Sequence, residues 1–443
     1  MFRINNTGHA LAKVALFFLM AGVLVGFLSS LQYLFPGLLN HQLPFYISRP
    51  LHVHLVLNWI LAAALACIYF FISRFTGTQN NKKTLQNFHV LLFGVTAVLI
   101  LINISIGNFE GREYFEYPVW LGIPVLLTWL LFLYIFLRHS VKIKGPWPVY
   151  LWMWTTGIIS FVVAYSESFL WLIPWFGGNA VRDITVQWKS LGALVGSWNM
   201  LIYGTAFFVM EKINGNKETA RSRITFFFYF LGLINLLFNW GHHTYIVPAS
   251  SVIKNTAFII SMTELLILGN IMLNWRITLS NAVKNKHLIS VWFFTAADIW
   301  IFLNLILAIL ISVPAINYYT HGTYITVAHA MGATIGINTM ILLAALSFFL
   351  LKDQSPHGNR WLAFGFRSVN FALPVFWAVI IFLGIHRALH LQPGNTSKFY
   401  IMMNEALPVM KWFAVSGFVL MAGLIIAAMA LMNKAITGTG HDE

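Results

Sequence analysis

The chain has 443 residues, 59% hydrophobic and 9% charged, whereas soluble domains carry about a quarter charged residues; a water-soluble globular fold is excluded. The formal net charge of +14 is no sign of nucleic-acid binding, because the basic residues fall in short loops between apolar stretches. Cys67 is the single cysteine, which excludes an internal disulfide framework and any cysteine-ligated cluster. The first apolar stretch is too long for the core of a cleavable signal peptide, and no small-residue cleavage site follows it.

A run of about 20 apolar residues spans a bilayer. Twelve such windows follow one another, at 11–34, 50–73, 87–107, 118–138, 147–174, 188–210, 224–248, 252–275, 289–314, 322–351, 365–389 and 408–432. No long soluble insertion, low-complexity tract or fixed-period repeat interrupts them. The pattern predicts an all-α integral membrane protein of twelve transmembrane helices, a single polytopic domain over 1–443. With the N-terminus inside, the inner segments hold 19 of the 27 Lys and Arg residues. Each inner loop carries at least three of them, Lys142, Lys144 and Arg138 among others. The positive-inside rule then places both termini in the cytoplasm.

Three phrases stand out within the spans: Pro50-Leu51-His52-Val53-His54, Gly241-His242-His243 and Ala328-His329-Ala330-Met331. Ionisable residues inside a membrane span are costly and mark functional sites, and imidazole is the commonest protein ligand for haem iron and transition metals. His52 enters the second span from outside in its first turn. His242 and His243 lie about five residues from the outer end of the seventh, and His329 roughly two turns into the tenth. All fall in the outer third of the bilayer, as a shared cofactor layer requires. On a helix, neighbours point about 100° apart and residues 329 and 331 about 200° apart. The pair can therefore flank one metal close to its helix, and the tenth span can serve two haems, one on each side.

These residues carry a family resemblance. The chain resembles the large, haem-bearing subunit of cytochrome-c-type nitric oxide reductase, within the haem-copper oxidase superfamily. The phrase Asn317-Tyr318-Tyr319-Thr320-His321-Gly322-Thr323 leading to His329, the Gly241-His242-His243 phrase, Arg49 to His52, Gly111-Arg112-Glu113 with Glu116 and Pro118, and Glu264 carry it. The resemblance implies a haem-copper oxidase subunit I-like bundle. It makes His52 an axial ligand of a low-spin haem b and His329 the proximal ligand of a high-spin haem b. It makes His242 and His243 ligands of a non-haem metal, iron rather than copper. Glu113 would help bind a calcium ion bridging haem propionates, and Arg112 would support the propionates. Glu264 would stand behind the metal ligands or on a proton route. The implied partner is a membrane-anchored cytochrome c, and the substrate a small gas: two NO with two electrons and two protons give N2O and water. The implied location is the bacterial cytoplasmic membrane.

The sequence departs from that pattern twice. The family supplies a third metal-binding histidine and a glutamate from span six, where this chain reads Gln187-Trp188-Lys189-Ser190-Leu191-Gly192-Ala193-Leu194-Val195-Gly196-Ser197-Trp198-Asn199. The histidine position becomes Leu191 or Gly192 and the glutamate Val195 or a neighbour; Asn199, Tyr203 or Tyr245 remain as oxygen donors. Met331 stands where the family has the second axial histidine of the low-spin haem. A His/Met pair raises the reduction potential, and the alternative is that Met331 only packs; His54 is a second-site residue or substitute ligand. The competing functions are NO dismutation or O2 reduction, and a non-catalytic haem b electron-transfer or sensor subunit. A transporter predicts broken helices and inverted repeats, neither legible here. The intramembrane acids Glu167, Glu264 and Asp298 form no continuous track from the inner face, so protons are expected from outside.

Overall fold

The computed structural model describes residues 6–76, 83–263, 281–390 and 399–437. Every long element is helical: α1 (Asn6–Leu31), α2 (Phe45–Thr76), α3 (Lys83–Ser105), α4 (Gly122–Ser140), α5 (Val149–Glu167), α6 (Ala180–Asn214), α7 (Arg223–Phe238), α8 (Ser251–Thr263), α9 (Leu288–Ser312), α10 (Tyr324–Leu350), α11 (Arg360–His390) and α12 (Phe399–Thr437). Eleven of these, all but α8, are long and apolar enough to cross a membrane, α7 when taken with the winding that follows it to Thr244. The 25 residues of α9 reach about 37 Å at about 1.5 Å each, against a hydrocarbon core of about 30 Å. Only the start of the eighth predicted span falls in α8; 264–275 lies outside the described residues.

Local chemistry sets the helix ends. Asn179, Ser222 and Thr323 cap α6, α7 and α10, each side chain accepting from a backbone N–H of the first turn, which satisfies an otherwise orphaned donor. Gly215 closes α6 at φ 71°, a left-handed conformation that glycine adopts without strain. Between the helices α1 packs on α2, α5 on α6, α9 on α10 and α11 on α12, while α1 also meets α12 and brings the two ends of the bundle together.

Three predicted boundaries shift. α2 begins at Phe45, not at Pro50; Pro50 is its sixth residue, so the helix runs on past it with one backbone hydrogen bond, to the Tyr46 carbonyl, unmade. His52 consequently lies two turns in, rather than in the first turn. The seventh span is α-helical only to Phe238, and Asn239–Thr244 winds as a tighter 3-10 helix. α10 is not one uninterrupted α-helix: Tyr324–Met331 is α, Gly332–Thr339 is π and Met340–Leu350 is α again.

The π segment has a visible cause. A Cβ on Gly336 would overlap the Trp300 indole, and one on Gly332 would overlap the Asn304 amide, so the α10 backbone lies directly on side chains of α9. Thr339 Oγ1 donates to the carbonyl of Thr334 five residues back (2.8 Å) and accepts from Trp59 Nε1 (3.1 Å). Such π turns gather at functional sites. Beyond it the bundle is closely packed: Trp154, Phe71 and Phe208 meet edge-on or tilted at 5.1–5.6 Å, each such pair worth about 0.5–1.5 kcal/mol beyond area burial.

Candidate haem and metal centre

On α2 two histidines two residues apart take different partners. His52 Nδ1 lies 2.7 Å from the Gly22 carbonyl of α1. A carbonyl only accepts, so Nδ1 carries the proton and Nε2 keeps its lone pair; this is how a protein fixes a metal-ligating imidazole. Four residues along α1, a Cβ on Gly26 would come within 2.5 Å of the His52 ring, so glycine there is what lets α1 lie against it. His54 faces the loop after α3 instead. Its Nε2 meets Glu116 Oε2 at 3.1 Å and its ring stands edge-on to Tyr117.

The histidine pair ends the seventh span. His242 Nδ1 is 3.1 Å from Asn239 Oδ1, which also accepts from the Ser261 hydroxyl, so two donors hold one amide oxygen and His242 Nε2 is left bare. The two rings lie 4.2 Å apart between centroids. His243 stacks flat on Trp188 of α6, at 4.5 Å and 8°. His321, just before α10, stands 6.3 Å from His243 and 6.1 Å from Trp188. His329 and His321 both lie within charge-interaction range of the pair. Four imidazoles from two separate segments therefore converge. His321 was not singled out as a site residue in the sequence; its place within the Tyr-Thr-His-Gly phrase was the only signal.

α6 offers the pair no further imidazole or acid. A Cβ on Gly192 would lie 2.5 Å from Trp240 Cβ, and one on Gly196 within 2.8 Å of Leu236; these glycines let α6 and α7 touch, and a histidine has no room at 192. Leu191 is buried and Val195 is 41% exposed, turned outward. What α6 presents is the indole of Trp188. Of the oxygen donors, Asn199 Oδ1 accepts from Asn338 in the π segment (3.2 Å). The Tyr245 hydroxyl is buried without a hydrogen bond.

On α10, the Trp377 indole donates to the Ala328 carbonyl at 3.0 Å, fixing the turn that carries His329. The Asn304 backbone lies beside His329, yet His329 Nδ1 is buried with no hydrogen bond of good geometry. Met331 packs at the edge of the apolar core. His52, His242, His243 and His329 are half-buried residues although each belongs to a span. Bare Nε2 atoms on His52 and His242, a glycine cradle beside His52 and an unpartnered nitrogen on His329 suit haem and metal ligation.

The loop after α3 folds back on this end of the bundle. Arg112 pairs with Asp183 of α6 (2.6 Å) and lies 4.9 Å over the Trp171 ring. Glu113 pairs with Arg49, and among the described residues no three-ligand group forms around it. Burial is the largest influence on Glu116 and raises its pKa, but the hydrogen bond and charge of His54, with backbone N–H groups, bring it below the ordinary value. Tyr117 and Tyr165 share a 2.7 Å hydroxyl contact, and Lys189 pairs with Glu167. Glu264 lies outside the described residues. Sequence reasoning missed Asp183 and Trp188, whose partners are distant in the chain.

Residues 7–420 match the family described as cytochrome c and quinol oxidase polypeptide I. The chain belongs to this family. Its members are oxidoreductases built around haem and a metal centre, and the chain is accordingly a multi-pass membrane protein. Among characterised relatives, the chain is 24% identical to a nitric oxide reductase subunit of Stutzerimonas stutzeri, over 75% of this chain and 73% of the relative. It is 22% identical to a cytochrome c oxidase subunit 1 homolog of Agrobacterium tumefaciens (strain T37), over 96% and 82%, and 23% identical to cytochrome c oxidase subunit 1 of Rhodobacter capsulatus, over 82% and 70%. A solved haem-copper terminal oxidase dimer, at 14% identity, matches the fold with a TM-score of 0.70 over 98% of this chain and 85% of that one.

Proposed function

We propose that the protein is the large subunit of a nitric oxide reductase-like enzyme, a single polytopic domain that receives electrons from a membrane-anchored cytochrome c and reduces NO to N2O. The observation that carries the reading is the convergence of His242, His243 and His329; the third histidine that the family supplies from span six has no counterpart, and α6 presents the Trp188 indole to His243. When bound, two haems b and a non-haem iron would supply the electrons and the surface on which two NO molecules meet. The chain's own residues do the rest. The Gly22 carbonyl holds the proton of His52 on Nδ1 and leaves Nε2 free, so that His52 and Met331 would hold the low-spin haem. His329 would hold the high-spin haem. His242, oriented by Asn239, and His243, oriented by the Trp188 stack, would hold the second metal, and the Tyr245 hydroxyl is the donor nearest in sequence that lacks a partner.

At the outer end, Asp183 and Trp171 fix the Arg112 guanidinium for the haem propionates, and Glu113 offers a carboxylate to calcium. The His54–Glu116 pair provides a proton entry from the same side, so turnover consumes outer protons. In this reading the protein lies in the bacterial cytoplasmic membrane with both termini inside. Purified complex given a reductant and NO is expected to consume NO and release N2O in a 2:1 ratio; NO consumption without N2O rejects the reading.

A second reading is favoured by one feature: among the described residues, no third His, Cys, Asp or Glu completes a metal set with His242 and His243. Mixed imidazole and carboxylate ligands are usual for non-haem iron. The protein is then a haem b electron-transfer or sensor subunit. Two haems per chain with no further iron or copper supports that alternative.

A further inference from the structure

Apart from the histidine pair, the last turn of α11 and the start of α12 bring three metal-capable side chains together. His386 and His390 are one helical turn apart, and residues at that spacing share a face. Their ring centroids are 4.4 Å apart. Glu405 of α12 reaches between them: its Oε2 lies 3.3 Å from His386 Nε2 and 3.1 Å from His390 Nε2. One ligand atom from each residue lies within 4.8 Å of the others. Donors around a tetrahedral zinc at about 2.0–2.2 Å sit roughly 3.4 Å from one another, close to the spacing found.

The protonation pattern points the same way. His390 Nδ1 lies 2.9 Å from the His386 carbonyl, so that nitrogen donates and Nε2 presents a lone pair. A lone pair facing a carboxylate oxygen at 3.1 Å is repulsive unless a second proton or a cation lies between them. Fixing Nδ1 on a backbone carbonyl is also how zinc-ligating histidines are usually oriented. The two histidine side chains are 21% and 17% exposed and Glu405 is 53% exposed, so an ion can enter from solvent.

We infer that His386, His390 and Glu405 form a divalent transition-metal site, of which Zn2+ is the natural occupant, joining the ends of α11 and α12. Two imidazoles disfavour calcium and magnesium, which take oxygen ligands. Three protein ligands leave a fourth position for water. The bridge spans two helices whose connecting segment 391–398 lies outside the described residues, so the ion adds a tie between elements that side-chain packing holds together here.

The test uses the full-length protein in detergent, stripped with a chelator and titrated with Zn2+, with bound zinc measured by elemental analysis. Wild type is expected to hold one more zinc per chain than the H386A/H390A variant. Glu405 is exposed enough that E405Q leaves the packing unchanged, and this variant alone is expected to weaken that zinc at least tenfold. Zinc is also expected to raise the melting temperature of wild type and not of the double variant, because a ligand of the native state stabilises it. Equal zinc uptake by wild type, E405Q and H386A/H390A overturns the proposal. Haem content and NO turnover are not involved in these readouts, so the result is independent of the proposed reaction.

Discussion

Within α10, the eight residues before the π segment and the eleven after it follow different rules. After it, Met340 to Leu346 are at most 1% exposed, sealed among apolar neighbours. Before it, His329 and Met331 are only partly covered. α2 divides the same way: Ala62 to Ile72 are at most 7% exposed, while His52, earlier in the helix, is only half-buried. One half of the bundle is packed as a solid, where each side chain is held by its neighbours. The other half holds imidazoles by hydrogen bonds to backbone and amide oxygens, with ring edges left bare. A closely packed half gives the rigidity that lets the open half keep ligands in place.

The comparison can be broken most severely at the pair. H242A and H243A are each expected to lower NO turnover at least about 100-fold, as removal of groups acting at a reacting centre does, and to remove the second metal while retaining both haems. Normal turnover and metal content in both variants would place the reaction elsewhere. In the packed half, Phe71→Ala or Trp154→Ala is expected to cost about 3–5 kcal/mol, the usual penalty for a large aromatic cavity. Denaturation in detergent is the measurement, and the haem spectrum of the surviving native protein should be unchanged. A change in that spectrum would mean that the two halves are not separable.

A smaller effect tests the low-spin haem. Met331→His is expected to keep that haem low-spin and lower its midpoint potential, because a His/Met pair holds the potential above that of a bis-histidine haem. Met331→Leu should convert it to high-spin, seen in the reduced-minus-oxidised spectrum. If neither variant alters the spectrum, Met331 is a packing residue.

The smallest effect is electrostatic. Glu116 has a lowered pKa in the fold, so the native state binds its proton less readily than the unfolded chain. Its contribution to stability is present above the ordinary carboxylate pKa and disappears as pH falls through the lowered value. E116Q should therefore lower stability slightly at neutral pH and flatten the acid side of the profile, the variant and wild type converging below the lowered value. An unchanged acid limb would show that His54 does not stabilise the carboxylate.

Much of the architecture was legible because a bilayer imposes a simple length rule: apolar windows of sufficient length became helices, and His52, His242, His243 and His329 were exceptional within them. Helix ends were less legible. α2 starts five residues early because Pro50 is tolerated within it, and the seventh span tightens into 3-10 turns just where the histidine pair sits. Neither event leaves a mark in hydropathy. Asp183, Trp188 and His321 could not be found as site residues, because each matters through a partner distant in the chain. The His386–His390 spacing was readable as a shared helix face, but Glu405 joins it only through the packing of α12 on α11.

The sequence by itself determined that this chain is a helical membrane protein, and which imidazoles are too costly to be incidental, because the penalty for burying polarity in hydrocarbon is a property of each residue. Which nitrogen of each ring is left free, which glycines let helices close on them, and that the Trp188 indole of α6 stacks on His243 were decided only by the tertiary structure. Those outcomes depend on distances between segments far apart in the chain, and such distances exist only once the bundle has packed.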